Sequence, residues 1–383
     1  MLRKYHEHHA KLLLEREPNM NSFWLQKRKC LYILICSNIL IWLVLGLMFY
    51  SPSIHYIPMK MYRYFYPVDS IYCYRLKMES LSDISSINPK KDKSIFFHET
   101  SCKSFIKGKI SIEARQACAV ESAAKMNPNF DVYLLFTSPG ILHFDGDESD
   151  RFLKALLSYK NVKMMHLDYE KYVEGTPVEH LYKSGIIEDS DYAMSHASDV
   201  LRYLTLWKYG GIYLDLDVIV TKSLEKLPPN YSGAESDKDV AAGVMSFSSS
   251  GKGHTLAGTC LDDLKNNFNG RDWGYNGPGV VTRLLKSICG GAKLAKDMIK
   301  KDCQGFKVYP RESFYAVPWT KWKMFFDENS TGAVNKLTKK SYAIHVWNKH
   351  SASTKISLTS NVSYILNARK FCPKVVQECD DFF

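Results

Sequence analysis

From about residue 94 onward, short unbroken apolar runs alternate with longer amphipathic ones. Ile95-Phe96-Phe97 is continuous and apolar and ends in the polar group His98-Glu99-Thr100-Ser101, which reads as a strand with a polar tip. An alanine-rich stretch over 111–126 predicts a helix, stopped by Asn127-Pro128. Val132-Tyr133-Leu134-Leu135-Phe136 has no polar alternation, as expected of a strand covered on both faces. A helix over 152–159 then leads to a further strand over 162–167. This cadence of strand, helix, strand, helix, strand predicts an α/β fold: a largely parallel sheet with helices on both sides. In such sheets ligands lie beyond the carboxyl ends of the strands.

The stretch 195–220 carries the most chemistry. Val200, Leu204 and Trp207 recur at helical spacing, and Asp199 and Arg202 share one face. Gly210-Gly211 marks a helix stop. Residues 212–220 are β-branched, aromatic or leucine except for Asp215 and Asp217, and read as one buried strand. Alternation along that strand would point both aspartates the same way. Two carboxylates in apolar surroundings repel unless a cation sits between them, so the pattern predicts a divalent-metal site. The triplet alone is no evidence, because Asp-x-Asp recurs at Asp145/Asp147, Asp189/Asp191 and Asp237/Asp239 in polar, turn-rich segments expected to be solvated loops. No glycine-rich loop follows the first strand, which excludes dinucleotide-binding and P-loop chemistry. Farther on, 240–247 reads as a strand, 255–268 as a helix, 272–279 as a tight turn before a helix over 280–288, and 341–347 as a late strand bearing His345.

The amino-terminal pattern differs. Residues 30–50 are apolar apart from Ser37 and Asn38, and Lys27-Arg28-Lys29 precedes them. Such a run is long enough to cross a hydrocarbon core of about 30 Å, and the basic flank keeps the amino terminus cytosolic. The organisation expected is a cytosolic tail over 1–29, a transmembrane signal-anchor over 30–50, a proline-punctuated stem over 51–93 and a lumenal domain over 94–383. Eight of the 10 cysteines follow the anchor, an even number that suggests disulfides in an oxidising compartment. Acceptor triplets for N-glycosylation begin at Asn230, Asn329 and Asn361, all beyond the anchor. The net charge of +11 is dispersed and forms no stripe, so a nucleic-acid partner is not expected.

With these residues laid out, the chain resembles the α1,4-galactosyltransferase (globotriaosylceramide synthase) family of Golgi glycosyltransferases. The resemblance spans about 95–373. It is carried by Phe96–Ser101, Cys118–Ala124, the 195–220 stretch, Asn276-Gly277-Pro278, 314–322 and Ala343–Lys349. It implies a GT-A type nucleotide-sugar-binding fold behind a single amino-terminal membrane helix, a type II Golgi membrane protein. It also implies a donor such as UDP-galactose or UDP-N-acetylgalactosamine, Mn²⁺ or Mg²⁺, a glycosphingolipid acceptor and retention of configuration.

Carried over to this sequence, Asp215 and Asp217 match the family's Asp-x-Asp, one on the donor and the other, Asp217, on the metal. His345 stands as third metal ligand or as a core histidine. Asp199 and Arg202 match a helix pair facing the donor sugar, with Arg202 holding either the diphosphate or Asp199. Thr100 and Ser101 fall near the nucleotide. Asn276 stands where the best-known member has Gln, in a loop expected against the donor sugar, and His98 replaces an apolar residue. Trp319 and Trp322 are candidates for an acceptor platform. Retention by same-face attack needs no protein nucleophile; a covalent route would need a carboxylate, with Asp199, Glu235 and Asp272 as candidates. Two rivals are a binding protein that has lost transfer and a lipid mannosyltransferase using GDP-mannose.

Overall fold

Ser94–Glu99 is buried along its whole length and forms the first strand, β1. Alternate side chains serve opposite faces, as strand geometry requires. Phe96 stacks on Tyr209 at 5.7 Å, whereas Ile95 and Phe97 join the core with Ala117 and Val120. A strand covered on both sides has no place for a polar face, which is why its sequence is unbroken. The computed structural model describes residues 35–43 and 70–383.

The chain divides into two units, Met1–Tyr64 and Phe65–Phe383. Of the first, 35–43 is helical, with its side chains exposed. Among the described residues no helix is long and apolar enough to cross a membrane. The remainder of the predicted anchor, the cytosolic tail and 51–69 of the predicted stem lie outside the described residues.

In the second unit, α1 (Ala114–Met126), β2 (Asp131–Phe136), α2 (Glu148–Leu157) and β3 (Val162–His166) follow β1 in the predicted order. Then come α3 (Ala193–Tyr209), β4 (Gly211–Leu214), β5 (Val218–Val220), β6 (Tyr231–Ala234) and β7 (Val240–Phe247). The chain continues through α4 (Gly251–Asn267), α5 (Pro278–Ile288), β8 (Lys307–Tyr309), β9 (Ala343–His345), α6 (Ser363–Phe371) and α7 (Pro373–Gln377). The main sheet has the order β3-β2-β1-β4-β7-β6-β8, and β5 and β9 form a separate pair. Strands β3, β2, β1 and β4 run parallel; β7 is antiparallel to both β4 and β6, and β8 is parallel to β6. Helix α1 packs on β2 with α2, α6 and α7 beside it, and α3 packs on β1, β4 and β7 with α4 alongside.

Two expectations change. The run read as one strand over 212–220 breaks: β4 ends at Leu214, a turn spans Asp215 to Asp217, and β5 belongs to the other sheet. The segment read as stem is already packed by Ile71, well before Ser94. Ile71, Tyr74 and Ile84 are buried, and Cys73 is bonded to Cys102 at the tip of β1. Six of the eight cysteines pair, as Cys73–Cys102, Cys118–Cys372 and Cys289–Cys303, while Cys260 and Cys379 are free and buried. The Cys118–Cys372 bridge explains part of the Cys118–Ala124 motif. Glu121, on the same helix, accepts hydrogen bonds from the N–H groups of Lys374 (3.0 Å) and Val375 (2.7 Å), capping α7. That motif fastens the carboxyl-terminal helices.

Candidate active site

The Asp215 N–H donates to Gly243 O at 2.9 Å, so the pairing of β4 with β7 continues one residue past the strand. Val218 N–H then donates to Asp215 O at 3.1 Å, closing the turn that sends the chain into β5. Strand β5 pairs antiparallel with β9, placing Val218 opposite His345. The turn and this pairing bring the three side chains together. His345 Nε2 lies 3.2 Å from Asp217 Oδ1 and 3.5 Å from Asp215 Oδ2. One ligand atom from each of Asp215, Asp217 and His345 lies within 4.8 Å of the others.

Each carboxylate has one oxygen held by the protein and one facing this centre. Asp215 Oδ1 accepts from the Tyr213 hydroxyl at 2.8 Å and lies 3.1 Å from Arg202 Nη1. Asp217 Oδ2 accepts from the Asn348 N–H at 2.9 Å. The imidazole of His345 is packed by Trp347 (4.1 Å between centroids) and Tyr315 (5.6 Å). A Cβ at Gly243 would lie 2.6 Å from Asp215 Oδ2 and 3.1 Å from His345 Nε2, so any larger residue here would displace these side chains.

Burial opposes charge on all three groups, and their neighbours decide the outcome. Burial would raise the Asp215 carboxyl, but Arg202, His345 and Tyr213 outweigh it and hold it well below the usual carboxylate range. Asp217 is pushed up by burial and by Asp215, against the opposing pull of His345. Burial would lower the His345 imidazolium, but Asp217 and Asp215 raise it. Two carboxylates and an imidazole converging with their free atoms form a mixed oxygen and nitrogen donor set of the kind divalent cations take.

Arg202 lies against protein carboxylates. It bridges Asp199 Oδ1 (3.1 Å) and Asp215 Oδ1, donates to Ala242 O (3.1 Å) and lies 4.8 Å over the Tyr213 ring. Asp199 is buried against Gly277, whose position has no room for a Cβ. Burial pushes its carboxyl up to about 7 although Arg202 pulls it down. His98, buried on the same side of β1, accepts or donates through Nε2 to Thr205 at 3.1 Å, and burial with Arg202 lowers it to about 3.

Thr100 and Ser101 follow the carboxyl end of β1, beside Cys102. Their backbone is fixed by the Tyr74 hydroxyl on Thr100 O (2.5 Å) and by Ser101 N–H on Glu99 Oε1 (3.1 Å). Asn276 is held within its own loop. It is fully buried, and its side chain is spent on the backbone of Asn269, at 3.0 and 2.7 Å. These bonds shape the loop that precedes Gly277. Asp272 likewise caps its own turn, accepting from Gly274 N–H at 3.0 Å. Trp319 is exposed and stacks on His350 at 5.6 Å, while Trp322 packs edge-on to Phe326 at 5.4 Å.

Tyr213, Gly243 and the Asn348 N–H were not singled out in the sequence. Tyr213 lies two residues before Asp215, so period-two reading of β4 could have found it. Gly243 and Asn348 reach the site only through long-range pairing, which no local pattern announces.

The sequence divides into two recognised regions around this site. Residues 113–234 match a glycosyltransferase sugar-binding region containing a DXD motif, and 249–379 match the α1,4-glycosyltransferase conserved region. Over 282 residues the chain is 34% identical to lactosylceramide 4-α-galactosyltransferase of Mus musculus, covering 73% of this chain and 74% of that one. The chain belongs to the α1,4-glycosyltransferase family. The Homo sapiens α1,4-glycosyltransferase named α-1,4-N-acetylglucosaminyltransferase is 27% identical over 269 residues, 68% of this chain and 75% of that one. Among solved structures, galactosyltransferase LgtC in complex with donor and acceptor sugar analogues covers 74% of this chain at 13% identity, with a TM-score of 0.33, an overlay too loose to inform the fold. The two matched regions meet at the acidic centre: Asp199, Arg202, Asp215 and Asp217 come from the first, and His345 and Asn348 from the second.

Proposed function

We propose that this glycosyltransferase moves galactose, or N-acetylgalactosamine, from a UDP-sugar in α1,4 linkage to the terminal sugar of a glycosphingolipid. The observation that carries the proposal is the convergence of Asp215 Oδ2, Asp217 Oδ1 and His345 Nε2, with Arg202 and Asn348 holding the other side of the carboxylates. These three residues would hold a divalent cation, Mn²⁺ or Mg²⁺. When bound, such an ion offsets the charge that develops on a departing diphosphate. Similarity to lactosylceramide 4-α-galactosyltransferase supports the α1,4 linkage and the lactosylceramide class of acceptor.

Nucleotide sugars of this type carry the sugar in α linkage, so an α product means retention. Arg202 fixes Asp215 and keeps Asp199 beside the Gly277 loop. Asp272 is occupied with its own turn, and Asp199 is held by Arg202. Same-face attack, in which the departing phosphate takes the acceptor's proton, asks no further nucleophile of the chain. The same reading places 30–50 in the Golgi membrane and the catalytic unit in the lumen, with the three disulfides in keeping with an oxidising compartment.

A panel of UDP- and GDP-sugars, scored for metal-dependent transfer to lactosylceramide, tests the proposal. Transfer from UDP-galactose or UDP-N-acetylgalactosamine is expected. Turnover with GDP-mannose alone, or no turnover with any donor, would overturn it in favour of a mannosyltransferase or a binding protein.

A further inference from the structure

One large aromatic ring at the rim of the site is exposed although it sits on a tightly fastened loop. Trp273 keeps 43% of its surface in contact with solvent. The loop that carries it, between α4 and α5, is fixed at several points. Asp191 N–H donates to Gly270 O at 3.0 Å, and Arg271 pairs with Asp191 at 2.7 Å. The buried His196 donates from Nε2 to Asp272 O at 3.2 Å, and Asn276 ties down Asn269. Burial lowers the His196 imidazole, in keeping with a neutral ring in that role. A Trp on such a loop is exposed by construction.

Its surroundings come from three distant segments. The Lys349 ammonium lies 3.7 Å from the centroid of Trp273 and 5.8 Å from that of Tyr192, a residue itself 39% exposed. Lys349 follows Asn348 directly, and the Asn348 N–H is the donor to Asp217. Asp199 is the acid that works against the lowering of the Lys349 ammonium by burial, which ties this group to the donor side of the site. His350, the next residue, carries the stacked Trp319. The ring of Trp273 is thus braced by a cation within two residues of an Asp217 contact and still offers apolar surface to solvent.

A pyranose has an apolar C–H surface bounded by hydroxyl groups, and an amphipathic aromatic ring beside a multi-donor ammonium complements both. Bracing the ring in advance reduces the ordering cost of binding. We propose that Trp273, braced by Lys349 and flanked by Tyr192, is the platform that receives the terminal β-galactoside of the acceptor. The inference rests on the transferase reading above, and it assigns the acceptor subsite to residues that reading does not use.

The test is binding and transfer with a soluble β-lactoside, comparing the wild type with Trp273→Ala and Trp273→Phe. Saturation-transfer NMR should show the lactoside bound to the wild type and lost from Trp273→Ala. With UDP-galactose, Trp273→Ala should raise the acceptor KM about tenfold, and leave the donor KM within about twofold, well short of the tenfold that one 1.4 kcal/mol contact represents. Trp273→Phe should recover most of the acceptor affinity. An unchanged acceptor KM in Trp273→Ala, or equal rises in both KM values that Phe does not rescue, would overturn the platform in favour of a purely structural Trp. If the wild type transfers nothing from any donor, the transferase reading fails; lactoside binding lost in Trp273→Ala would then still support the platform, and its persistence would reject it.

Discussion

Two Asp-x-Asp triplets in this chain have the same letters and opposite fates. Asp145-Gly146-Asp147 surrounds Lys109, whose ammonium lies 3.2 Å from Asp145, 3.3 Å from Asp147 and 2.7 Å from the buried Asp150. Asp150 Oδ2 also accepts from the backbone N–H groups of Asp145, Gly146 and Asp147, and Asp147 caps α2. That knot supplies its own cation, and its outer carboxylates are solvated. Asp215-Leu216-Asp217 has an arginine on the outer oxygen of Asp215 alone, and its inner oxygens converge on His345 with no further cation among the described residues. A carboxylate pair that the fold leaves without a cation of its own is free to take one from solution.

The comparison breaks most directly by removing one acid from each triplet. Asp217→Ala should lower transfer by at least about 10²-fold, the scale of losing preorganised charge stabilisation. Asp147→Ala should leave transfer nearly unchanged and cost about 1 kcal/mol of stability through the lost helix cap. Initial rates and urea midpoints on both variants check the pair.

Next in size is the cation that the first knot owns. Lys109→Met leaves Asp150 buried without its ammonium and should destabilise the fold by about 3–5 kcal/mol, read from urea denaturation. The Asp150 carboxyl gives this a pH signature. Burial alone would raise it, but Lys109 and the N–H groups of Gly146 and Asp145 hold it down to about 2. The unfolded chain then binds a proton more readily, so this stability is present above the unfolded carboxylate range, near pH 4, and is lost as pH falls towards about 2. Asp150→Asn should flatten that part of the acid-denaturation profile; a profile unchanged from the wild type would contradict the assignment.

The glycines sharpen the contrast further. Gly146 has φ +92° and open space at its Cβ position, so Gly146→Ala should cost stability only, about 1 kcal/mol of backbone strain. Gly243→Ala places a methyl group against Asp215 and His345 and should reduce metal-dependent transfer with a smaller effect on the unfolding midpoint. Equal activity of the two alanine variants would remove Gly243 from the site wall.

Much of this was legible in the sequence, for identifiable reasons. Ile95–Phe97 and Val132–Phe136 are unbroken because both faces of β1 and β2 are covered, so their strands and parallel order followed from local pattern. The decoy status of Asp145/Asp147 followed from its turn-rich setting. The break at Asp215 was not legible, because β5 leaves the main sheet to pair with β9, more than 100 residues later. For the same reason the route by which His345 reaches Asp217, and the wall at Gly243, depend on long-range register. The bonds by which buried Asn276 braces Asn269 were not legible either, because they depend on the fold of the loop between α4 and α5.

The central claim is that Asp215, Asp217 and His345 together hold a divalent cation. Titration of the purified chain with Mn²⁺ in the presence of UDP, followed by electron paramagnetic resonance of the free ion, measures this directly. One bound ion per chain is expected for the wild type, with binding lost in both Asp217→Ala and His345→Ala and retained in Asp147→Ala. Equal Mn²⁺ binding by the wild type, Asp217→Ala and His345→Ala would contradict it.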